Sequence, residues 1–374
     1  MSPHKLKDKT LALFFTAGVS LQTWHDIGII DREVAIYNGL SKYFKNIYFL
    51  TYGEAEDLRF KDYLADNITI VPKKYISNNL LYSCILPFIH YRILRKVDIL
   101  KTNQMLGAWG AVLAKLIYGE KLVVRTGYML SIHFAKRNPR SQRKWLMKSI
   151  ERIVYKLANA IITTSQANFE YIENNYQPRQ NHILIPNYVE TDIFKPMAVT
   201  KRKGSICFVG RLTQQKNLFA LLEALKGLPY TLTIIGSGDQ EEQLKEFAQK
   251  IEVKVDFSGN IPNHELPEIL NQHELFILPS LWEGMPKTLL EAMSCGLPVV
   301  GTKIDGTKEV IEHGRNGILC DIDSGSIRQA ITGLMEKEEL KKRVGINARR
   351  TIEERFSLGK LAEEELKLYM GLLT

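Results

Sequence analysis

Short apolar, β-branched runs alternate with segments of helical periodicity along the whole chain. In the first half the apolar runs are LALFFTAG, NIYFLTYG, NITIVP, DILKTNQ, KLVVRTGY, AIITTSQ and HILIPN, with amphipathic stretches such as REVAIYNGLSKYF and WGAVLAKLIYG between them. Strands this apolar, separated by helices, predict a parallel sheet covered on both faces. IPNYVETDIFKPMAVTKRKG breaks the pattern with prolines, polar residues and a basic run, and reads as a linker. A second alternation follows through SICFVGRL, YTLTIIGSG, VDFSGN, LFILPS, LPVVGT and GILCD. The pattern therefore predicts two doubly wound α/β domains facing a cleft, with ligands bound at the carboxyl ends of the strands. The divisions expected are 1–188, a linker over 189–203, 204–356, and a last helix over 357–374.

A chain of 374 residues is too long for one compact core, in keeping with two domains. Hydrophobic and charged contents of 45% and 24% are those of an ordinary soluble protein. No apolar run reaches the ~20 residues needed to span a bilayer. The start, MSPHKLKDKTLALFFTAGVS, mimics a signal peptide but lacks an A-x-A site, and a first strand feeding a glycine turn at Gly18 explains it better. Cys84, Cys207, Cys295 and Cys320 form no C-x-x-C pair and are expected as reduced packing residues in a cytoplasm. Charge is uneven. Residues 1–190 hold 26 Lys and Arg against 15 Asp and Glu, whereas the remainder holds 24 against 26. That asymmetry points to an anionic partner for the first half, such as a membrane surface, a lipid phosphate or nucleic acid.

Three stretches of the second half carry candidate chemistry. In FVGRLTQQKN a strand ends at Gly210, Arg211 follows, and Lys216 and Asn217 are expected to open the next helix. A guanidinium and an ammonium at such a turn suit a diphosphate. In IIGSGDQEE, Gly236 and Gly238 after a strand allow close backbone approach or simply make a turn. In LWEGMPKTLLEAMSCGLPVVGT, Pro286 is placed to start a helix that stops near Gly296. The N–H groups around Gly284 and Met285 then lie at its positive end. Glu283 and Glu291 flank this turn, and carboxylates accept hydroxyl hydrogen bonds. A diphosphate flanked by two polyols, a sugar nucleotide, would use all of these groups. The bland reading is a solvated helix with two stray glutamates.

The E-x7-E spacing within EGMPKTLLEAMSCGLPVVGT, preceded by VGRLTQQKN and IIGSG, resembles the retaining glycosyltransferases of family 4, which have the GT-B fold of two Rossmann-like domains. IPNYVETDIFKP is similar to their interdomain linker, and RFSLGKLAEEELKLY to their C-terminal helix returning to the first domain. The resemblance is specific from about Ile183 onward and generic before it. It implies an acceptor-binding first domain and a donor-binding second. Arg211 and Lys216 would hold the donor diphosphate, Glu283 the hydroxyls of the transferred sugar, and Glu291 the ribose. Backbone from Gly284 through Met285 and Pro286 to Lys287 would contact sugar or phosphate, and the Asn260–Ile261 turn would edge the base. On the acceptor side the candidates are Gly18, Arg125 and Tyr128. Many relatives carry a His near Tyr128, where this chain has Arg125, Tyr128 and, further on, His133.

The resemblance further implies a metal-independent hexosyltransferase with no cofactor, since the nucleotide-sugar is a substrate. A UDP-sugar is favoured, GDP-mannose being possible, and the acceptor would be a glycan or lipid-linked molecule in cell-surface polysaccharide, lipopolysaccharide or glycolipid synthesis. The alternative is a non-catalytic sugar-nucleotide-binding scaffold on the same fold. Asp321 and Asp323 spell D-x-D, but their place before SGSIRQ favours helix capping. In NPRSQRKWLMKSIERIVYKLANA one helix is expected, with Leu146, Ile150, Ile153 and Leu157 facing the core. Arg140, Lys144, Lys148, Arg152 and Lys156 would form a basic ridge, with Trp145 and Tyr155 on its side. Such a ridge suits an anionic membrane better than nucleic acid, and places the protein on the inner face of the cytoplasmic membrane.

Overall fold

The computed structural model describes residues 6–132 and 143–374, the side chains of 143 and 144 excepted. It divides into two compact units, Met1–Pro186 with Leu361–Thr374, and Asn187–Lys360.

The first unit is built on β1 (Thr10–Phe14), β2 (Asn46–Leu50), β3 (Ile68–Val71), β4 (Ile99–Thr102), β5 (Lys121–Thr126), β6 (Ala160–Thr163) and β7 (Asn181–Leu184). They form one parallel sheet in the order β3-β2-β1-β4-β5-β6-β7. Every residue of β1, β4 and β6 is buried, as strands covered on both faces require. The second unit holds β8 (Ser205–Val209), β9 (Thr231–Ile235), β10 (Val255–Gly259), β11 (Leu275–Leu278), β12 (Val299–Thr302) and β13 (Ile318–Cys320), in the order β10-β9-β8-β11-β12-β13. In each sheet the winding reverses once, between β1 and β4 and between β8 and β11. Loops leaving neighbouring strands diverge at such points and leave room for a ligand.

The Leu358–Leu372 helix ends the chain, and from Leu361 it belongs to the first unit. Leu361, Leu366, Leu368, Tyr369 and Met370 bury its apolar face, and a buried ion pair ties it to the sheet: Lys101 Nζ on β4 lies 2.6 Å from Glu365 Oε2. The Tyr369 hydroxyl donates to the same oxygen at 2.6 Å, and the Lys101 ammonium sits 4.9 Å from the Tyr37 ring centroid. Burial lowers the Lys101 pKa, an effect the Glu365 charge opposes. The stretch expected as a linker is packed on the second unit. Val189 and Phe194 are in its core, and the Arg349 guanidinium donates to the carbonyls of Thr191, Phe194 and Ser294.

One expected face is corrected. The Arg143–Leu157 helix is present, but it is rotated from the orientation its apolar residues predict. Leu146 and Ile153 are exposed, while Glu151, Val154, Tyr155 and Ala158 are buried. The polar interior explains the rotation. Glu151 accepts from the Ser131 N–H and the Tyr176 hydroxyl, and Tyr155 lies against Thr126. Tyr155 therefore does not project beside Trp145, which is exposed. Of the basic ridge, Arg152 and Lys156 are exposed and Lys148 is half-buried; Arg140 and the Lys144 side chain lie outside the described residues.

Candidate active site

In the second unit the carboxyl ends of β8, β9 and β10 are packed backbone on backbone. The Gly210 N–H donates to Ile235 at 2.9 Å and the Gly236 N–H to Gly259 at 2.7 Å. Gly236 has φ +128°, and a Cβ there would stand 2.1 Å from the Gly210 carbonyl oxygen. Only glycine fits this position. The turn after β9 is thereby held against the loop that carries Arg211, whose side chain is exposed.

That loop continues into a 3₁₀ turn, Gln214–Lys216. Lys216 closes this turn rather than opening a helix. Asn217 adopts φ 55°, and the Leu218–Leu225 helix starts after it. The turn is pinned to the loop after β11, because the Gln215 carbonyl accepts from the Leu281 N–H and its amide donates to the Trp282 carbonyl, both at 2.8 Å. This brings the Lys216 ammonium onto the Glu283 carboxylate. The Ser280 hydroxyl donates to Glu283 at 2.7 Å, and Gln215 lies 3.4 Å from its other oxygen. An anion reaching this loop would compete for the ammonium, and a carboxylate so released could accept hydrogen bonds from hydroxyl groups.

The EGMP turn is held on two sides. A Cβ at Gly306 would lie 2.1 Å from the Gly284 carbonyl oxygen, and Asn187 donates to the Met285 carbonyl at 2.7 Å. Pro286 is the N-cap, with the helix proper running Lys287–Ser294, one residue later than expected. Lys287 places its ammonium 5.5 Å from the Tyr188 ring centroid. Glu291, on the second turn, is only 2% exposed and accepts from the Asn263 amide at 3.0 Å. Asn260 accepts from the Ser237 hydroxyl at 3.1 Å, tying the turn that includes Ile261 to the loop after β9.

The predicted donor-side residues thus lie at the carboxyl end of one sheet, on the loops after β8, β9, β10 and β11 and on the first two turns of the Lys287–Ser294 helix. Asp321 and Asp323 are not among them: Asp323 caps the Ser324–Met335 helix by accepting from the Ser326 N–H at 2.9 Å. The residues that position these loops were missed in the sequence. Gln215, Asn187 and Asn263 are polar residues whose partners are remote in the chain, and Ser280, three residues before its partner Glu283, is marked by no local spacing.

Two family descriptions match the chain, Glycosyltransferase Family 4 over residues 45–193 and Glycosyl transferases group 1 over residues 189–351. The chain belongs to glycosyltransferase family 4 and has the GT-B fold. Among its relatives is the UDP-Gal:alpha-D-GlcNAc-diphosphoundecaprenol alpha-1,3-galactosyltransferase of Escherichia coli, 28% identical over 76% of this chain and 78% of the relative. Alpha-maltose-1-phosphate synthase of Mycolicibacterium smegmatis is 23% identical over 69% and 74%. Among solved structures, sucrose-phosphate synthase from Thermosynechococcus elongatus superposes with a TM-score of 0.81 at 18% identity, covering 98% of this chain and 99% of the other. HepE from Anabaena, in complex with UDP and glucose, gives 0.78 at 17% identity over 96% and 99%. At these identities the two structures show the fold.

The glycosyltransferase's first unit carries the acceptor-side candidates at the corresponding strand ends. Gly18, with φ +80°, follows β1 in a loop closed by the Ala17 N–H donating to Leu106 at 3.0 Å. Arg125 lies on β5, its N–H donating to Thr102 Oγ1 at 3.1 Å. Tyr128 follows on a loop fixed at Gly127, whose N–H donates to Gln104 and whose carbonyl accepts from Asn168. Partial desolvation raises the Tyr128 pKa above its ordinary value. Gln104 and Asn168 were likewise not legible in the sequence. His133 lies outside the described residues.

Proposed function

We propose that this enzyme moves a sugar, with retention of anomeric configuration, from a nucleotide-sugar to a glycan or lipid-linked acceptor. The observation that carries the reading is the Lys216–Glu283 pair: an ammonium and a carboxylate share one loop edge, in a place where a diphosphate and sugar hydroxyls could replace each as the other's partner. A UDP-sugar is the favoured donor. The name of the Escherichia coli relative specifies UDP-galactose and a diphosphoundecaprenol-linked acceptor, and HepE was crystallised with UDP and glucose, which supports this choice. The same relative supports a place in cell-surface polysaccharide or glycolipid synthesis.

The chemistry proposed is a front-face displacement. The acceptor hydroxyl oxygen bonds to the anomeric carbon as the bond from that carbon to the diphosphate oxygen breaks. The hydroxyl proton passes to the departing diphosphate. Arg211 and Lys216 stabilise the negative charge growing there, electrostatic help that is commonly the largest contribution to catalysis. Glu283 holds hydroxyls of the transferred sugar, and Glu291 holds the ribose. No metal or cofactor enters this scheme, so EDTA should leave activity intact.

The first unit is proposed to take the acceptor at a membrane. Among the described residues no helix is long and apolar enough to cross one. Peripheral association on the inner face of the cytoplasmic membrane, through Lys148, Arg152 and Lys156, fits the surplus of basic residues in this half. A donor screen by nucleotide release, followed by anomeric assignment of the product by NMR, tests the activity. Transfer from a nucleotide-sugar with an α-anomer retained is the expected result; binding without transfer across a broad acceptor panel favours the scaffold instead.

A further inference from the structure

Three helices of the first unit lie side by side: Asn79–Ile89, Ala108–Tyr118 and Arg143–Leu157, the middle one packed against both others. The Asn79–Ile89 helix, NLLYSCILPFI, contains no charged residue. Its inner face is Tyr82, Ser83, Leu86 and Pro87. Its outer face is Leu80, Leu81, Cys84 and Phe88, with Leu80 65% and Phe88 61% exposed. A helix face turned to water is ordinarily polar or charged, and this one is neither.

The neighbouring helices continue the patch. The Tyr118 hydroxyl donates to the Pro87 carbonyl at 2.9 Å, joining the end of the middle helix, where Leu116 and Ile117 are exposed, to the end of the first, where Phe88 and then Tyr91 are exposed. The third helix adds Trp145, 75% exposed, with Leu146 and Ile153. Large exposed apolar residues gathered on three adjacent helices are the kind of surface that marks an interaction site.

Charge selects the occupant. Residues 72–132 and 143–158 contain 14 Lys and Arg against 3 Asp and Glu. Of those acids, Glu151 is buried and Asp98 is taken by Lys9 and Thr10. Arg92, Arg95 and Lys96 are exposed at one end of the stripe, Lys74 at the other, and Arg152 and Lys156 on the third helix. A second copy of the chain would have to bring this basic surround against itself across a two-fold axis. An anionic bilayer supplies the opposite charge and an apolar layer together.

We infer that this face inserts shallowly into an anionic bilayer, with the Leu80, Leu81 and Phe88 stripe as the element that enters the acyl boundary. The inference deepens the membrane association proposed above, and it differs in placing apolar insertion beside charge. Exposed Trp145 and Tyr91 are residue types that favour the headgroup region.

Sedimentation with vesicles tests it. Wild-type protein should pellet with mixed phosphatidylcholine–phosphatidylglycerol vesicles and stay in solution with phosphatidylcholine alone. High salt should weaken this binding without abolishing it, because the apolar part is unscreened. Leu81→Glu with Phe88→Glu should lower the bound fraction about tenfold or more, by replacing inserted groups with anions. A thermal melt and donor affinity on the same preparations should match wild type, since both residues are exposed and the donor residues are in the other unit. Equal pelleting of the double variant, equal binding to neutral vesicles, or complete loss of wild-type binding in high salt would each overturn the insertion. A dimer that dissociates in the double variant, with no vesicle binding by wild type, would overturn it in favour of a second copy. Absence of donor binding in wild type would count against the glycosyl-transfer roles and leave the vesicle result standing.

Discussion

Two Lys–Glu pairs in this enzyme use the same charges for different ends. Lys101 and Glu365 sit in the first unit with side chains 1% and 2% exposed, closed by Tyr369 and the Tyr37 ring. Lys216 and Glu283 sit at a loop edge of the second unit with side chains 12% and 9% exposed, beside Ser280 and Gln215. The first pair has aromatic walls and a neighbour on a returning helix. Opening it would strand two charges where water does not reach. The second has hydroxyl and amide neighbours on loops, so each partner can exchange its counter-charge for a polar ligand. Surroundings, not residue type, separate a closed pair from one open to exchange.

The largest effect should come from breaking the anchor. Glu365→Leu leaves Lys101 buried without its counter-charge, and loss of one partner of such a pair costs about 3–5 kcal/mol. A fall in melting temperature of roughly 6–20 °C is expected by calorimetry. Adding Lys101→Met should restore most of it. If Glu365→Leu melts with wild type, the pair does not hold the last helix.

The site should respond in turnover. Arg211→Ala with Lys216→Ala removes the groups proposed to meet charge on the leaving diphosphate, and loss of one such donor commonly costs about 10²–10³ in kcat. At least that loss is expected in a nucleotide-release assay, with the melting temperature nearly unchanged. Normal turnover in the double variant would end this assignment.

The two glutamates of the E-x7-E spacing should then separate. Glu291→Ala should weaken nucleotide binding by about 1.5–3 kcal/mol, the range for hydrogen bonds to a charged group. Glu283→Ala should lower turnover while free nucleotide still binds. Fluorescence or calorimetric titration distinguishes them, and equal nucleotide affinity in wild type and Glu291→Ala refutes the ribose role.

A smaller effect belongs to the first unit. Burial lowers the His90 pKa from 6.5 to about 4, with the Lys74 charge adding to it, and its Nε2 lies 3.0 Å from the Tyr82 hydroxyl. Because the folded value is the lower one, the unfolded chain takes up the proton first as pH falls below 6.5. Stability from this group is complete above that pH and is lost toward pH 4, by about 1–2 kcal/mol at pH 5. Chemical denaturation of wild type and His90→Asn at pH 7.5 and pH 5 should show a steeper loss in wild type. Parallel losses would contradict it.

The strands were legible because a parallel sheet covered on both faces demands unbroken apolar runs, as in TLALF of β1 and LFIL of β11. The cluster proposed to bind the donor was legible where its residues fall within one short stretch, as Glu283 and Glu291 do around EGMP. What escaped was set by contacts between distant segments. The Arg143–Leu157 helix buries Glu151 because Ser131 and Tyr176 come to meet it, and apolar spacing misplaced its face. Asn187, Asn263 and Gln215 pin the site loops through partners that the fold supplies.

The most direct test of the contrast is a calorimetric titration of the preferred nucleoside diphosphate into wild type, Lys216→Ala and the Lys101→Met, Glu365→Leu variant. Lys216→Ala should bind about 10–150-fold more weakly, as loss of a charge-assisted contact implies. The anchor variant should bind as wild type does. Wild-type affinity in Lys216→Ala would contradict the account, because the Lys216–Glu283 pair would then be structural like Lys101–Glu365.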